Sequence, residues 1–420
     1  MSEGWKRSGF ENTDSRSERK REEYSMKDLR IGVIGAGGRG ALSRLAHKPG
    51  EGSRLAAAAD TNEESLAQFR SDYGDDVFIT TDYRELITRD DVDACFICTP
   101  DFLHEEMAVN ALEAGMPIYL EKPIATTIEG CDRILNAAMG NKTRLYVGHN
   151  MRHFPMILKM KEVIDSGAIG EVQAAWCRHF VSYGGDAYFK DWHSERRYVT
   201  SLLLQKGAHD IDVLHWLCGG YTRRTVGMGK LSVYNRCEDR RDPDEPGKAG
   251  FDSSNWPPLS QKKVSPKIDV EDHNMVMMEL DNGVQVSYMQ CHYTPDAWRN
   301  YTIIGTEGRI ENRGDVGRCR VEVTNVRYDG FEDPDTIHQL KPDEGGHGGG
   351  DPRIVEEFLA FLRGDVDVTN TSPVAARNAV AVGVKGAESI RSGNVPYDIP
   401  PLAPGVREYF DGGQPGSSNA

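Results

Sequence analysis

The chain predicts an α/β protein in two parts. A doubly wound parallel sheet comes first, followed by an α+β domain with a large, mostly antiparallel open sheet. Three observations carry that expectation. β-type runs alternate with helix-length segments from Leu29 to His149, a glycine-rich turn follows the first run directly, and strand patterns after Asn150 alternate apolar with polar residues.

At 420 residues the chain exceeds one ordinary core, so two domains are expected, and with them a cleft. The composition, 38% hydrophobic and 27% charged, is that of a globular protein, and no apolar run approaches the length of a membrane span. A formal net charge of -15 argues against non-specific binding to nucleic acid or to anionic membranes. A soluble cytoplasmic protein is the expectation. The eight cysteines are dispersed through apolar or helical stretches, as reduced buried thiols would be; Cys95 and Cys98 form a CxxC with no second pair to complete a zinc site.

Residues 1–27, rich in Ser, Arg, Lys and Glu, read as a disordered extension. Residues 28–149 hold the runs LRIGVIG, RLAAAAD, VFITT, ACFICTP, PIYLEK and RLYVGHN, and the unbroken apolar stretch Ala94 to Cys98 suits a strand buried on both faces. Residues 150–395 form the second domain. In it, helical patterns run from Pro155 to Ser166, Leu202 to Leu217, Pro352 to Leu362 and Pro373 to Ser392, and strand patterns such as NMVMMEL and VQVSYMQCHY leave one sheet face accessible to a substrate or to another copy of the chain. A homo-oligomer built on that face is expected. Between about 235 and 267 a Pro-, Asp- and Gly-rich stretch reads as a surface insertion, and residues 396–420 as a tail that frays from about Gly412.

Gly35-Ala36-Gly37-Gly38-Arg39-Gly40 follows the strand LRIGVI and leads into a helical segment, and Asp60 ends the next strand pattern twenty positions beyond Gly40. This is the Rossmann dinucleotide fingerprint in its required context. Gly35 permits the tight turn, Gly37 lets the backbone approach a pyrophosphate, and Gly40 lets helix and strand pack closely. Asp60 would accept hydrogen bonds from the adenosine ribose and repel a 2'-phosphate, which favours NAD over NADP.

Further along stand Cys98-Thr99-Pro100-Asp101-Phe102-Leu103-His104, then Tyr119-Leu120-Glu121-Lys122-Pro123, then Gly207-Ala208-His209-Asp210-Ile211-Asp212 with Trp216. With the glycine loop, these resemble the Gfo/Idh/MocA dehydrogenases over nearly all of residues 28–395. The resemblance implies a nicotinamide-linked oxidation of a secondary hydroxyl on a sugar, inositol or sugar derivative. It implies that Gly38 and Arg39 join the other loop residues on the cofactor, that Thr99 and Pro100 line the nicotinamide-ribose side and that His104 caps their loop. Glu121 and Lys122 would reach the ribose and the substrate, across a cis peptide before Pro123.

Lys122 and His209 are the implied catalytic pair. A cation beside the reacting oxygen stabilises a developing alkoxide, and a histidine near neutral pKa can take the hydroxyl proton. The sequence departs from the family pattern in two places. Gln205 stands where many members have an aspartate, followed by Lys206, which either orients a substrate oxygen or carboxylate or points to solvent. Trp192 and His193 replace a common Trp-Arg pair near the nicotinamide. The loop from Tyr183 to His193 offers Tyr188, Asp191 and His193 as carbohydrate contacts or, alternatively, as cover for the sheet, and Asn150 is a further candidate for the cleft. His209 and His215 lie on different helical faces, so no metal is expected. Gly345 to Gly350 reads as a flap near the site or, preferentially, a flexible connector. Two other classes stay open, a glycoside-cleaving enzyme working through transient oxidation and elimination, and a non-catalytic NAD-binding sensor.

Overall fold

A computed structural model describes residues 27–341 and 344–416. The extension expected over 1–27 therefore lies, except for Lys27, outside the described residues.

Six strands form the first sheet: β1 Leu29–Ile34, β2 Ser53–Ala59, β3 Phe78–Thr80, β4 Ala94–Ile97, β5 Ile118–Leu120 and β6 Leu145–Val147. All pairs are parallel and the order is β3-β2-β1-β4-β5-β6, so the strand order reverses beside β1, where open α/β sheets present a crevice at the carboxyl ends of their strands. Every residue of β4, β5 and β6 is buried, as the apolar runs require of strands covered on both faces.

The second sheet has nine strands: β7 Val172–Phe180, β8 Thr222–Lys230, β9 His273–Leu280, β10 Gln285–Cys291, β11 Trp298–Gly305, β12 Arg309–Arg313, β13 Cys319–Thr324, β14 Thr336–Leu340 and β15 Tyr397–Asp398. Its order is β14-β13-β12-β11-β7-β10-β9-β8-β15, antiparallel throughout except where β10 runs parallel to β7. In β9, Val276, Met278 and Leu280 turn into the core while Met275 and Met277 face out, the period-two alternation of a sheet with one packed face.

The two sheets share their helices. Helix Gly350–Arg363 sends Ile354, Phe358 and Phe361 into the same cluster as Phe96 and Tyr119 of the first sheet. Helix Pro373–Arg391 places Val374, Ala376 and Val380 on the first sheet's core and Ala379 and Val382 on the second's. This wedge holds the cleft walls in fixed relation, and a division of the sequence into consecutive blocks could not have shown it.

The end of the chain also departs from expectation. Helix Val406–Asp411 is followed by Gln414, whose side-chain amide donates to the Leu145 carbonyl and accepts from the Leu145 N–H, at 2.8 and 2.9 Å. Gln414 is thus pinned to β6 where fraying was expected from about Gly412, because a buried carboxamide satisfies strand-edge groups that would otherwise lack partners, and residues 417–420 lie outside the described residues.

Candidate active site

A cleft of about 710 Å³ opens at the carboxyl ends of β1, β2, β4 and β5, roofed by residues of the second sheet's connections. At one end lies the glycine loop. Gly35 and Gly38 adopt left-handed φ of 83° and 49°, and a Cβ on Gly40 would sit 2.0 Å from the Gly35 carbonyl oxygen. Gly40 therefore shapes the loop from behind without lining the cleft. A Gly40→Ala substitution, at about 1–3 kcal/mol of overpacking strain, is expected to weaken NADH binding roughly tenfold or more, read by NADH fluorescence titration.

The helical segment expected after the loop is a 3₁₀ helix, Gly38–Ala46. Gly37 has no side chain with which to cap it, and Gly38 and Gly40 are poor helix formers. Asp60 is braced by the Gly37 and Asn62 N–H groups, at 3.2 and 2.9 Å, and still lines the cleft. The loop amides, the glycine backbone bordering the cleft at Gly37 and an acidic strand end fit a dinucleotide.

Arg39 lines the cleft, but its guanidinium is taken. It donates to Glu121 at 2.6 Å and with two nitrogens to Asp351 at 2.8 and 2.9 Å. Glu121 in turn accepts from the Lys122 N–H at 3.0 Å. Both residues anchor the loops around the cofactor end with their charges already satisfied. His104, expected to cap the Thr99–Pro100 loop and grouped with the cofactor residues, does not itself line the cleft. It is buried, its ring nitrogens 2.7 and 2.9 Å from the Pro123 and Thr99 carbonyls, and so ties together the two loops that do. Thr99 and Pro100 line the wall, with the Thr99 hydroxyl buried and unpartnered. The Lys122–Pro123 peptide is cis.

Lys122 and His209 line the same cleft. Lys122 Nζ donates to the Gln205 carbonyl at 3.3 Å. Burial pulls this ammonium down to about 8, Asp101 works against that shift, and Lys206 adds to it. The His209 imidazole is held well below the ordinary histidine value, first by burial and then by Lys122 and Lys206, so it is neutral at neutral pH. Its Nδ1 has no partner, and neither do the buried side-chain oxygens of Gln205 and Asn150. Behind it, Asp212 accepts two hydrogen bonds from Arg152 at 2.7 Å, and His149 Nδ1 lies 2.9 Å from the same carboxylate.

The pattern expected as one helix from Leu202 to Leu217 is two, Leu202–Gln205 and Gly207–Cys218, broken at Lys206. The break turns Gln205, Lys206 and His209 into the cleft together. Burial works against the Lys206 charge, but the hydroxyls of Tyr188 and Tyr183 raise its pKa above the ordinary lysine value, so it stays an ammonium. Tyr188, Trp192 and His193 complete the wall, the last two stacked at 3.7 Å. Asp191 does not reach the cleft. It accepts from the His193 N–H at 3.1 Å and lies 2.7 Å from His193 Nδ1, which fixes that ring.

Residues 29–149 match the oxidoreductase family with an NAD-binding Rossmann fold, and residues 157–311 match the GFO/IDH/MocA C-terminal domain. The chain belongs to the GFO/IDH/MocA oxidoreductase family. It is 28% identical over 342 residues to YteT of Bacillus subtilis (strain 168), named as an oxidoreductase, covering 72% of this chain and 78% of YteT. It is 35% identical over 192 residues to the inositol 2-dehydrogenase/D-chiro-inositol 3-dehydrogenase of Halalkalibacterium halodurans, covering 45% of this chain and about half, 52%, of that relative. In fold it is similar to a levoglucosan dehydrogenase in complex with NADH and L-sorbose, with a TM-score of 0.72, 20% identity, and 89% and 100% of the two chains covered.

Among the cleft residues left unassigned in the sequence are Asp101, His347 and Ala249. Asp101 was legible as part of the Thr99-to-His104 run; it is buried in the wall, and burial raises its carboxyl pKa despite His104 and Lys122. His347, inside the glycine run read as a connector, reaches the cleft and lies 2.8 Å from an Asp351 oxygen. Ala249 comes from the insertion, which folds back onto the site. Its Gly250 and Asp252 N–H groups and its Asn255 amide all donate to Asp186, the partner of Lys190. Among the described residues no three His, Cys, Asp or Glu side chains converge as a metal site, and no helix is long and apolar enough to cross a membrane.

Proposed function

We propose that the protein reversibly oxidises a secondary hydroxyl of a sugar, inositol or sugar derivative, with NAD as the acceptor. One observation carries the reading: a lysine with a lowered pKa and a neutral histidine line one cleft that begins at a dinucleotide loop. The dehydrogenase names of the inositol and levoglucosan relatives support it.

In this reading the backbone of Gly35, Gly37 and Gly38 receives the pyrophosphate, Asp60 the adenosine ribose, and Thr99, Pro100 and Trp192 the nicotinamide side. Bound NAD supplies the carbon that accepts or returns a hydride. His209 takes the hydroxyl proton, which its neutral imidazole can do without first losing one, and Lys122 presents an ammonium to the oxygen as negative charge grows there. Gln205, Asn150, Tyr188 and His193 orient the substrate's other hydroxyls. Stoichiometric NADH from a sugar and inositol panel, followed by absorbance, is the expected result. Absence of NADH with every member would sink the proposal, and release of product from a glycoside without NADH would indicate elimination chemistry.

Asp60 makes NAD the proposed cofactor in preference to NADP. Asp60→Ala is expected to shrink the ratio of kcat/KM for NAD over NADP by roughly tenfold or more, since one close like-charge contact is removed. The exposed Met228, Met275 and Met277 on the outer face of the second sheet support assembly of copies through that face, to be read by light scattering.

A further inference from the structure

We infer that the substrate carries a carboxylate held by Lys206, so that the molecule oxidised is a sugar acid; the inference rests on the dehydrogenase reading and narrows its substrate class.

Lys206 stands at the break between two helices, and its side chain borders both the main cleft and a second chamber of about 210 Å³ that also shares Asn150, His209 and His347. Apart from Lys122, the other buried or half-buried cations around the site each have a carboxylate. Lys190 has Asp186, Arg152 has Asp212, Arg299 has Asp210 and Asp315, and Arg39 has Glu121 and Asp351. Among the described residues Lys206 has none. Its Nζ sits 5.7 Å from the ring centres of Tyr183 and Tyr188, whose faces flank the charge but bring no carboxylate to it.

Lys206 is half-buried, and an ammonium so placed without a counter-ion carries a desolvation cost that an anionic ligand offsets on binding. Lys122 on the same cleft adds to the positive field. The chemistry matches a singly charged carboxylate better than a phosphate. Only one cation is uncommitted beside Lys122, and the nearby guanidiniums of Arg39 and Arg299 already have carboxylate partners. The unpartnered Gln205 oxygen and His209 Nδ1 remain for the substrate's hydroxyls.

The test uses the full chain loaded with NADH and titrates matched pairs by calorimetry, D-galacturonate against D-galactose and D-glucuronate against D-glucose, with D-glucose 6-phosphate as a further probe. At least one acid is expected to bind roughly 10- to 100-fold more tightly than its neutral partner, the range of a charge-assisted hydrogen bond. Lys206→Met should bring that ratio close to one, whereas Lys206→Arg, which keeps the charge, should retain most of it. The inference is overturned if neither acid binds, if the neutral members bind as tightly, if Lys206→Met weakens both members of a pair alike, or if the phosphate ester outbinds the acids. Binding needs no turnover, so the two readings fail separately. Acids bound through Lys206 with NAD never reduced count against the dehydrogenase reading, and NAD reduced by neutral sugars alone counts against the carboxylate.

Discussion

Replacing Lys122 with methionine is expected to lower kcat/KM by roughly 10²- to 10⁴-fold in a protein that still binds NADH, the span usual for loss of a positioned proton-handling group. Methionine keeps the length and apolar stem of the side chain, so the loop held by Glu121 and His104 has no cause to move. The pH profile gives a sharper reading. The Lys122 ammonium, pulled down to about 8 by burial, is the form that stabilises the alkoxide, so kcat/KM for hydroxyl oxidation should fall as pH rises through about 8. A Lys122→Arg variant, whose charge persists in that range, should lose the alkaline limb even if its absolute rate is low. His209, held well below the ordinary histidine value, should contribute no limb near neutrality. An alkaline limb unchanged in Lys122→Arg would remove Lys122 from this role.

The largest stability effect is expected at Asp210→Ala, a loss of about 3–5 kcal/mol measured by urea denaturation. Asp210 is fully buried and adjacent to His209, but its carboxylate is directed at the second sheet. It accepts from the Tyr301 hydroxyl at 2.5 Å, from Arg299 at 2.8 Å and from the Tyr288 hydroxyl at 3.0 Å, with His179 Nδ1 at 3.1 Å. Removing it leaves Arg299 only Asp315 as a counter-ion, takes the acceptor of the buried Tyr301 phenol and leaves the Tyr288 phenol only the Gln290 side-chain oxygen. The cluster also orients helix Gly207–Cys218, and with it His209. Burial opposes the Asp210 charge, but Arg299 and His179 overcome burial and hold the carboxyl well below the carboxylate range. Its contribution is therefore complete above the ordinary carboxylate pKa and disappears as pH falls toward the depressed folded value, so the wild type should lose more stability on acidification than the variant.

Much of this protein was legible in local pattern. Strand alternation, the glycine turn with its acidic strand end, and the runs around Lys122 and His209 are properties of short segments, and the folded chain brings the last three to one cleft. What escaped the sequence was pairing over distance. Arg39 looked free for a ligand because Asp351, which neutralises it, lies 312 positions away. His347 and Ala249 sit in stretches without periodicity, and only the folded chain brings them to the cleft. The break at Lys206 was hidden because Leu202, Leu203 and Leu204 supply helical apolarity right up to it. Asp191 looked like a ligand contact because its residue type suits that work, yet it spends its carboxylate fixing His193.

The carboxamide of Gln414 does at Leu145 what an additional strand would do. An open sheet margin is a template on which a foreign chain can add itself, and here its first rung is filled from within the same molecule. Trimming the chain before Val406 would uncover that rung together with the apolar seat of Phe410, so a shortened protein should clump through this margin.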